Sequence, residues 1–315
     1  MSAELKKYDL IIVGAGPAGL TASVYASRYK VKHLIIAKLT GGIATEAHWV
    51  CNFPSEKNIS GADLMAKVED QARSLGGQIL SGEVSDIEKK SGGFLVTLAG
   101  GKSFLAQKIL LASGTKRRRL NLASEKKFIG KGVSYCAACD AFFYRQKTVA
   151  VVGGSDSANT AALYLAKVAK KVYQIYRGEK LRGDQTWVEQ VLSDPKIEVV
   201  FGTNIVDFKG NTKLESVLLD RPFQGSQELK LDGVFLEIGA EPETEFFRST
   251  GVDRDARGYI MVNKNQSTSI SGIWAAGDIT NGSNNFHQVV TACSEGAVAV
   301  QSIFLSLQQE KQKFK

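Results

Sequence analysis

An apolar run at Tyr8–Val13 leads straight into Gly14-Ala15-Gly16-Pro17-Ala18-Gly19, a complete G-x-G-x-x-G. A helix-like run to Tyr29 and a second apolar run at His33–Ile36 follow it. No other feature constrains the fold so tightly, because each position has a backbone task in a βαβ unit. The first glycine makes the tight turn, the second lets a pyrophosphate approach the main chain, and the third lets the helix pack close to the strand. The helix N-terminus then offers free N–H groups and positive potential to phosphates. One expected feature is missing. An acidic residue about twenty positions on usually holds a ribose, but this region reads Ala37-Lys38-Leu39-Thr40 and the first acid is Glu46. Ribose contacts must come from elsewhere.

The pattern recurs in altered form. Thr148–Val152 enters Gly153-Gly154-Ser155-Asp156-Ser157-Ala158, with a helix predicted through Ala169 and a strand at Lys171–Tyr176. Between the two units, Gly61–Gly77 reads as an amphipathic helix with Leu64, Val68, Ala72 and Leu75 near helical spacing. Residues 78–111 read as a β-meander with turns at Gly92-Gly93 and Gly100-Gly101. Further β-like stretches are Glu198–Phe201, Ile205–Lys209, Leu214–Leu219 and Leu229–Leu236. Gly272–Asp278 reads as a strand ending in Gly-Asp, and a helix follows from about Gln288 to Leu307. The polar Gln308–Lys315 is expected to fray. A chain of 315 residues holds two domains of this kind. The fold class is therefore α/β, built on two βαβ nucleotide-binding units.

Directly before the second loop lies Cys136-Ala137-Ala138-Cys139-Asp140. Two cysteines spaced C-x-x-C can cycle between dithiol and disulfide, and a neighbouring carboxyl can move the proton such exchange needs. The same spacing also serves zinc sites and plain buried thiols. Zinc needs two more ligands, and His33, His48 and His287 offer no partner spacing, so no metal is expected. The other cysteines, Cys51 and Cys293, are expected to fill core or cofactor-adjacent space. Four cysteines in all suit a reducing cytosol. The first apolar run is too short for a signal peptide, and no uninterrupted apolar stretch suggests a membrane helix. The net charge is +8, yet the one dense basic run, Lys116–Arg119, has no interleaved aromatics. It reads as a surface crossover, and no nucleic acid is expected.

In this order the pieces closely resemble the low-molecular-weight thioredoxin reductases, FAD-dependent members of the pyridine nucleotide-disulfide oxidoreductases. The matching residues are the Gly14–Gly19 loop, Gly41-Gly42, Asn52-Phe53-Pro54, Ala112-Ser113-Gly114, Cys136–Asp140 with Phe142-Phe143-Tyr144, Gly153–Ala158, Ile238-Gly239 and Ala275–Asp278. The resemblance implies two Rossmann-like, doubly wound nucleotide-binding domains: a discontinuous FAD domain, residues 1–117 with 241–315, and an inserted pyridine-nucleotide domain, 118–240, that carries the dithiol. FAD would lie along Gly14, Ala15, Gly16, Pro17, Ala18 and Gly19, with Gly41, Gly42, Asn52, Ala112 and Gly114 beside it. Gly277 and Asp278 would sit near its ribityl chain and pyrophosphate, and His287, Gln288 and Val289 would face its ring. Cys139 would be nearest the flavin, Cys136 would attack the partner's disulfide, and Asp140 would protonate the leaving thiolate.

NADPH or NADH would dock at Gly153, Gly154, Ser155, Asp156 and Ser157, with Tyr176, Arg177 and Arg182 at the ribose end. Here the chain departs from the family: Ser155 replaces a glycine, Gly178 replaces an arginine, and Glu179 adds negative charge. Ile43 and His287 replace a glutamine and an arginine near the flavin. The expected activity is reduction of a thioredoxin or glutaredoxin-like disulfide by a cytoplasmic homodimer. Hinges are expected near Thr115–Arg118 and Gly239–Glu243. A related flavoprotein fed by ferredoxin or reduced flavin, or a flavin-bound redox sensor, would share most of these features.

Overall fold

The computed structural model describes residues 5–47 and 49–313; residues 1–4, His48 and residues 314–315 lie outside them. Along the chain run β1 (Lys7–Ala15), α1 (Pro17–Arg28), β2 (His33–Thr40), α2 (Gly61–Ser74), β3 (Ile79–Ser81), β4 (Val84–Lys90), β5 (Gly93–Leu98) and β6 (Ser103–Leu111). After β7 (Thr115–Arg117) come α3 (Glu125–Phe128), β8 (Val133–Ser134), α4 (Ala137–Asp140), β9 (Thr148–Val152), α5 (Asp156–Ala166) and β10 (Lys171–Tyr176). Next are α6 (Gln185–Ser193), β11 (Ile197–Phe201), β12 (Ile205–Lys209), β13 (Ser216–Phe223), β14 (Ser226–Lys230) and β15 (Gly233–Leu236). β16 (Ala240–Pro242), β17 (Ile273–Ala275) and α7 (Val289–Lys313) close the chain. The chain divides into two compact units, one running to Lys116 and resuming at Glu241, the other spanning Arg117–Ala240.

In the first unit β3-β2-β1-β6 form a parallel sheet, β17 also pairs in parallel with β6, and β4-β5-β6 form the antiparallel meander. The period of two in β1 explains why its run is apolar throughout. Leu10 and Ile12 bury on the face covered by α1 and α7, and Ile11 and Val13 on the other face against Val84, Phe94 and Ile109. Each such side chain contributes about 1.5–3 kcal/mol when fully buried. In α2, Leu64 and Ala72 are buried and Val68 half-buried, whereas Leu75, at the helix C-cap, is exposed.

Two sequence expectations change at the C-terminal end. The terminal helix does not end near Leu307 but continues through Lys313, and Glu310 forms an ion pair with the buried Lys108. By length and composition Val289–Gln312 is long and apolar enough to cross a membrane. It nevertheless packs Ala292, Ala299, Val300, Ile303 and Leu307 into the core beside α1, and Phe304 stacks on Tyr29 at 4.7 Å.

In the second unit β11-β10-β9-β15-β8 are parallel and β12-β13-β14 form an antiparallel sheet. Val149 and Val151 face α5 and α6, and Ala150 and Val152 face the antiparallel sheet. The Leu229–Leu236 stretch is two strands, not one. The break falls at Leu231-Asp232, where the Asp232 carboxylate accepts a bond from the Thr148 N–H at 2.9 Å.

Candidate active site

The first glycine loop opens into a cavity of about 540 Å³ within the first unit. Gly14 holds φ +111°, and a Cβ there would lie 2.2 Å from the Ala112 carbonyl oxygen. Gly19 is pressed against the Gly14 carbonyl, 1.9 Å from a built Cβ. Those two glycines serve packing, as the fingerprint requires. Gly16 differs. The nearest atom to a Cβ built on it is 4.0 Å away, so its exposed face is free for a ligand to approach. Gly16 is also the N-cap of α1; it makes no side-chain cap bond and no acid occupies the first turn. The helix therefore presents unneutralised positive potential to the cavity. This combination fits the pyrophosphate of an adenine dinucleotide.

Of the residues expected around FAD, Gly14 through Ala18, Gly42, Ala112, Gly114, Gly277, Asp278, His287, Gln288 and Val289 line the cavity. Gly19 and Gly41 instead shape it from behind. Gly41 holds φ +88° and its N–H donates to the Ala15 carbonyl at 2.7 Å, which ties β2 to the loop. Asn52 reaches the site indirectly, its Nδ2 donating to Gln288 Oε1 at 2.9 Å.

Two contributors, Glu83 and Glu295, were not legible as site residues, whereas Ile43 was expected near the flavin. Glu83, just before β4, lines the cavity beside Lys38 and Leu39 and pairs with Lys38 at 2.7 Å. This brings a carboxylate to the end of β2, where the sequence has none. Ile43 lines the cavity too. Glu295, buried on α7, accepts bonds from the Gly277 N–H at 2.8 Å, Thr280 Oγ1 at 3.0 Å and Ser283 Oγ at 2.6 Å. It thereby fixes the Gly277-Asp278 turn. A single acid in an otherwise apolar helical run was the only sequence signal for it.

Burial raises the Asp278 carboxyl above the usual carboxylate range; His287 opposes the shift and Glu295 adds to it. Cys293 lies beside the Pro17 carbonyl at 3.8 Å, and burial pushes its thiol up. Cys51 is exposed rather than core-filling, because the segment after β2 runs along the surface there.

In the second unit Cys136 and Cys139 are joined as a disulfide with Cα atoms 5.3 Å apart. Cys136 is the N-cap of α4, and the Cys139 N–H points at its sulfur at 3.1 Å. The buried Ser134 accepts from the Cys136 N–H at 3.1 Å and so fixes the entry to the turn. Tyr135 is anchored by a hydrogen bond to the buried Glu125; burial and that bond push its hydroxyl well above the usual phenol range. Asp140 follows directly, half-buried, with Phe142 and Phe143 at 72% and 68% exposure beside it.

At the second loop Gly153 repeats the role of Gly14: φ is +142° and a Cβ would lie 2.2 Å from the Glu237 carbonyl oxygen. Ser155 caps α5 in extended conformation without a side-chain cap bond. The Asp156 carboxylate accepts from the Asp184 N–H at 2.7 Å. Tyr176 ends β10 with its ring against Gly154, and Arg177 and Arg182 are exposed beyond it.

The model of the family "Pyridine nucleotide-disulphide oxidoreductase" matches residues 8–296. The chain belongs to that family. It is 39% identical over 295 residues to a thioredoxin reductase of Treponema pallidum, covering 93% of this chain and 94% of that protein. It is 36% identical over 306 residues to the thioredoxin reductase of Listeria innocua, covering 96% and 94%. The solved thioredoxin reductase of Lactococcus lactis superposes with a TM-score of 0.91 at 31% identity, over 96% of this chain and 99% of that one. The chain is thus an oxidoreductase and a flavoprotein, with thioredoxin-disulfide reductase activity carried on two Rossmann-like domains. Its membership implies flavin and pyridine-nucleotide chemistry and thioredoxin as the disulfide substrate.

Proposed function

We propose that the chain passes electrons from NADPH or NADH, through FAD at the Gly14–Gly19 loop, to the Cys136/Cys139 pair and on to a thioredoxin or glutaredoxin-like protein. The observation that carries this reading is the Cys136–Cys139 disulfide, in a chain whose first glycine loop opens into the 540 Å³ cavity. FAD, when bound, supplies two-electron transfer between a hydride donor and a dithiol. The protein supplies the cradle. Gly16 leaves the backbone open to a pyrophosphate, Asp278 follows β17 on a turn fixed by Glu295, and Glu83 offers a carboxylate for the ribose from the link between β3 and β4.

In the reduced pair, the Cys136 thiolate attacks one sulfur of the partner's disulfide and forms a mixed disulfide. Cys139 then attacks Cys136, re-forming the Cys136–Cys139 bond and releasing the partner as a dithiol. Asp140 gives the leaving thiolate its proton. The second loop, with Tyr176, Arg177 and Arg182, is the docking place for the nucleotide. The chain works as a cytoplasmic homodimer, and the units alternate about hinges at Thr115–Arg118 and Gly239–Glu243.

The test is steady-state reduction of an oxidised thioredoxin with NADPH or NADH. Activity is expected in the wild type and absent in Cys136→Ser, which keeps its flavin absorbance. Full activity in that variant would overturn the dithiol assignment.

A further inference from the structure

We propose that Tyr176 and Gly178 together set the nucleotide specificity of the second loop, so that it accepts a pyridine dinucleotide without selecting for a 2′-phosphate. This rests on the reading that the donor docks at that loop. In a βαβ dinucleotide unit the residue ending the second strand faces the adenosine ribose, where an acid reads the 2′-hydroxyl and an arginine accommodates a 2′-phosphate. In this chain β10 ends at Tyr176, which supplies neither charge.

Its ring is held in place. A Cβ on Gly154 would lie 2.5 Å from the ring's Cγ, and a Cβ on Gly178 would lie 2.6 Å from Cε1 and 2.9 Å from the hydroxyl. The ring therefore lies where a side chain on either glycine would go, and Tyr176 is only 9% exposed. The segment that follows is tied down over the loop. The Arg182 N–H donates to the Gly154 carbonyl at 2.6 Å, and Asn159 Nδ2 donates to the Arg182 carbonyl at 2.9 Å. The Arg182 guanidinium rests over the Tyr176 ring, 5.8 Å from its centroid. A ring face holds a cation there by its quadrupole. Arg177 and Lys180 are exposed, and the carboxylate of Glu179 lies between them in sequence. A phosphate is read strongly by guanidinium forks that converge on it, and this arrangement commits one fork to the phenol.

The two positions are coupled. Any side chain at residue 178 would enter the ring, so Gly178 is the partner that Tyr176 requires. The hydroxyl at the ring's tip remains as the polar group at the ribose end, and it serves a ribose with or without the phosphate.

The test uses the FAD-loaded full chain and two probes that differ only in the 2′-phosphate, adenosine 2′,5′-bisphosphate and 5′-AMP, with dissociation constants read by calorimetry. The expected result is constants within ten-fold of one another, with NADPH and NADH reducing the flavin at kcat/KM values within ten-fold. Tighter binding of the bisphosphate by more than ten-fold overturns the inference but leaves the donor reading standing. Binding of neither probe, with dithionite still bleaching the flavin, overturns the donor reading and the inference with it. Gly178→Arg alone should weaken both probes. Tyr176→Ser/Gly178→Arg, with the ring removed, should favour the bisphosphate by ten-fold or more. A Gly178→Arg variant that gains that preference without losing 5′-AMP would refute the coupling.

Discussion

The two glycine loops start from one plan and end differently. In each, the first glycine sits at positive φ with its missing Cβ aimed at a carbonyl of the neighbouring strand end, Ala112 for Gly14 and Glu237 for Gly153, both at 2.2 Å. Beyond that point they diverge. At the first loop Gly16 is open, the helix start carries no acid, and the space leads into the 540 Å³ cavity. At the second, Ser155 replaces the open glycine, Asp156 occupies the first turn of the helix, and the Tyr176 ring lies on Gly154. The glycines that make the turn persist in both loops, because the backbone permits nothing else. The residues that meet a ligand are free to change, and only in the second loop have they done so.

The most disruptive way to probe this contrast is Gly14→Val against Gly153→Val. Each adds a side chain to a positive-φ position and drives it into a carbonyl, which costs about 3 kcal/mol or more in strain and overlap. Gly14→Val should purify without flavin. Gly153→Val should keep its yellow colour and lose thermal stability in a separate transition. Equal flavin loss in both variants would mean that the loops are not independent.

A smaller effect is expected from Gly16→Ala. Nothing crowds the new methyl, so stability should change by no more than about 0.5 kcal/mol. FAD affinity should fall roughly ten-fold, since the methyl points where a pyrophosphate must approach. Its counterpart Ser155→Gly should leave flavin binding untouched and tighten nucleotide binding several-fold. Fluorescence titration of both ligands separates the two outcomes.

Subtler still is Asp278→Asn. The raised Asp278 carboxyl means that the folded chain binds a proton more tightly than the unfolded one, whose reference value is 3.8. Its contribution therefore favours folding below that value and turns into a penalty as pH rises through the folded-state value. The flavin-free Asp278→Asn chain should melt higher than wild type at neutral pH, and the gain should vanish at acid pH. A lower melting temperature at neutral pH would contradict the burial argument.

Much of this was legible in the sequence because single residues carried backbone obligations. Gly14, Gly19 and Gly153 announce their turns, and the apolar run Tyr8–Val13 announces the strand that enters the first of them. The contiguous Cys136–Asp140 stretch needed no folding to be noticed. What stayed hidden depends on partners distant in sequence. Glu83 reaches the end of β2 only because β3 pairs with β2. Glu295 looked like one charge in an apolar helix until Gly277, Thr280 and Ser283 were seen to converge on it. Tyr176 read as a ribose-end residue and Gly178 as a separate departure from the family, and only the packing of the ring joins them. The polar Gln308–Lys315 stretch was expected to fray, and within it Glu310 instead pairs with the buried Lys108.

The central claim is that a flavin at the first loop and the Cys136/Cys139 pair form one electron-carrying system. Anaerobic dithionite titration of the purified protein tests it most directly. Flavin and disulfide each accept two electrons, so the wild type should consume two equivalents of dithionite per flavin and Cys136→Ser only one. Equal consumption of one equivalent by both proteins would show that the dithiol does not exchange electrons with the flavin, and would contradict the account.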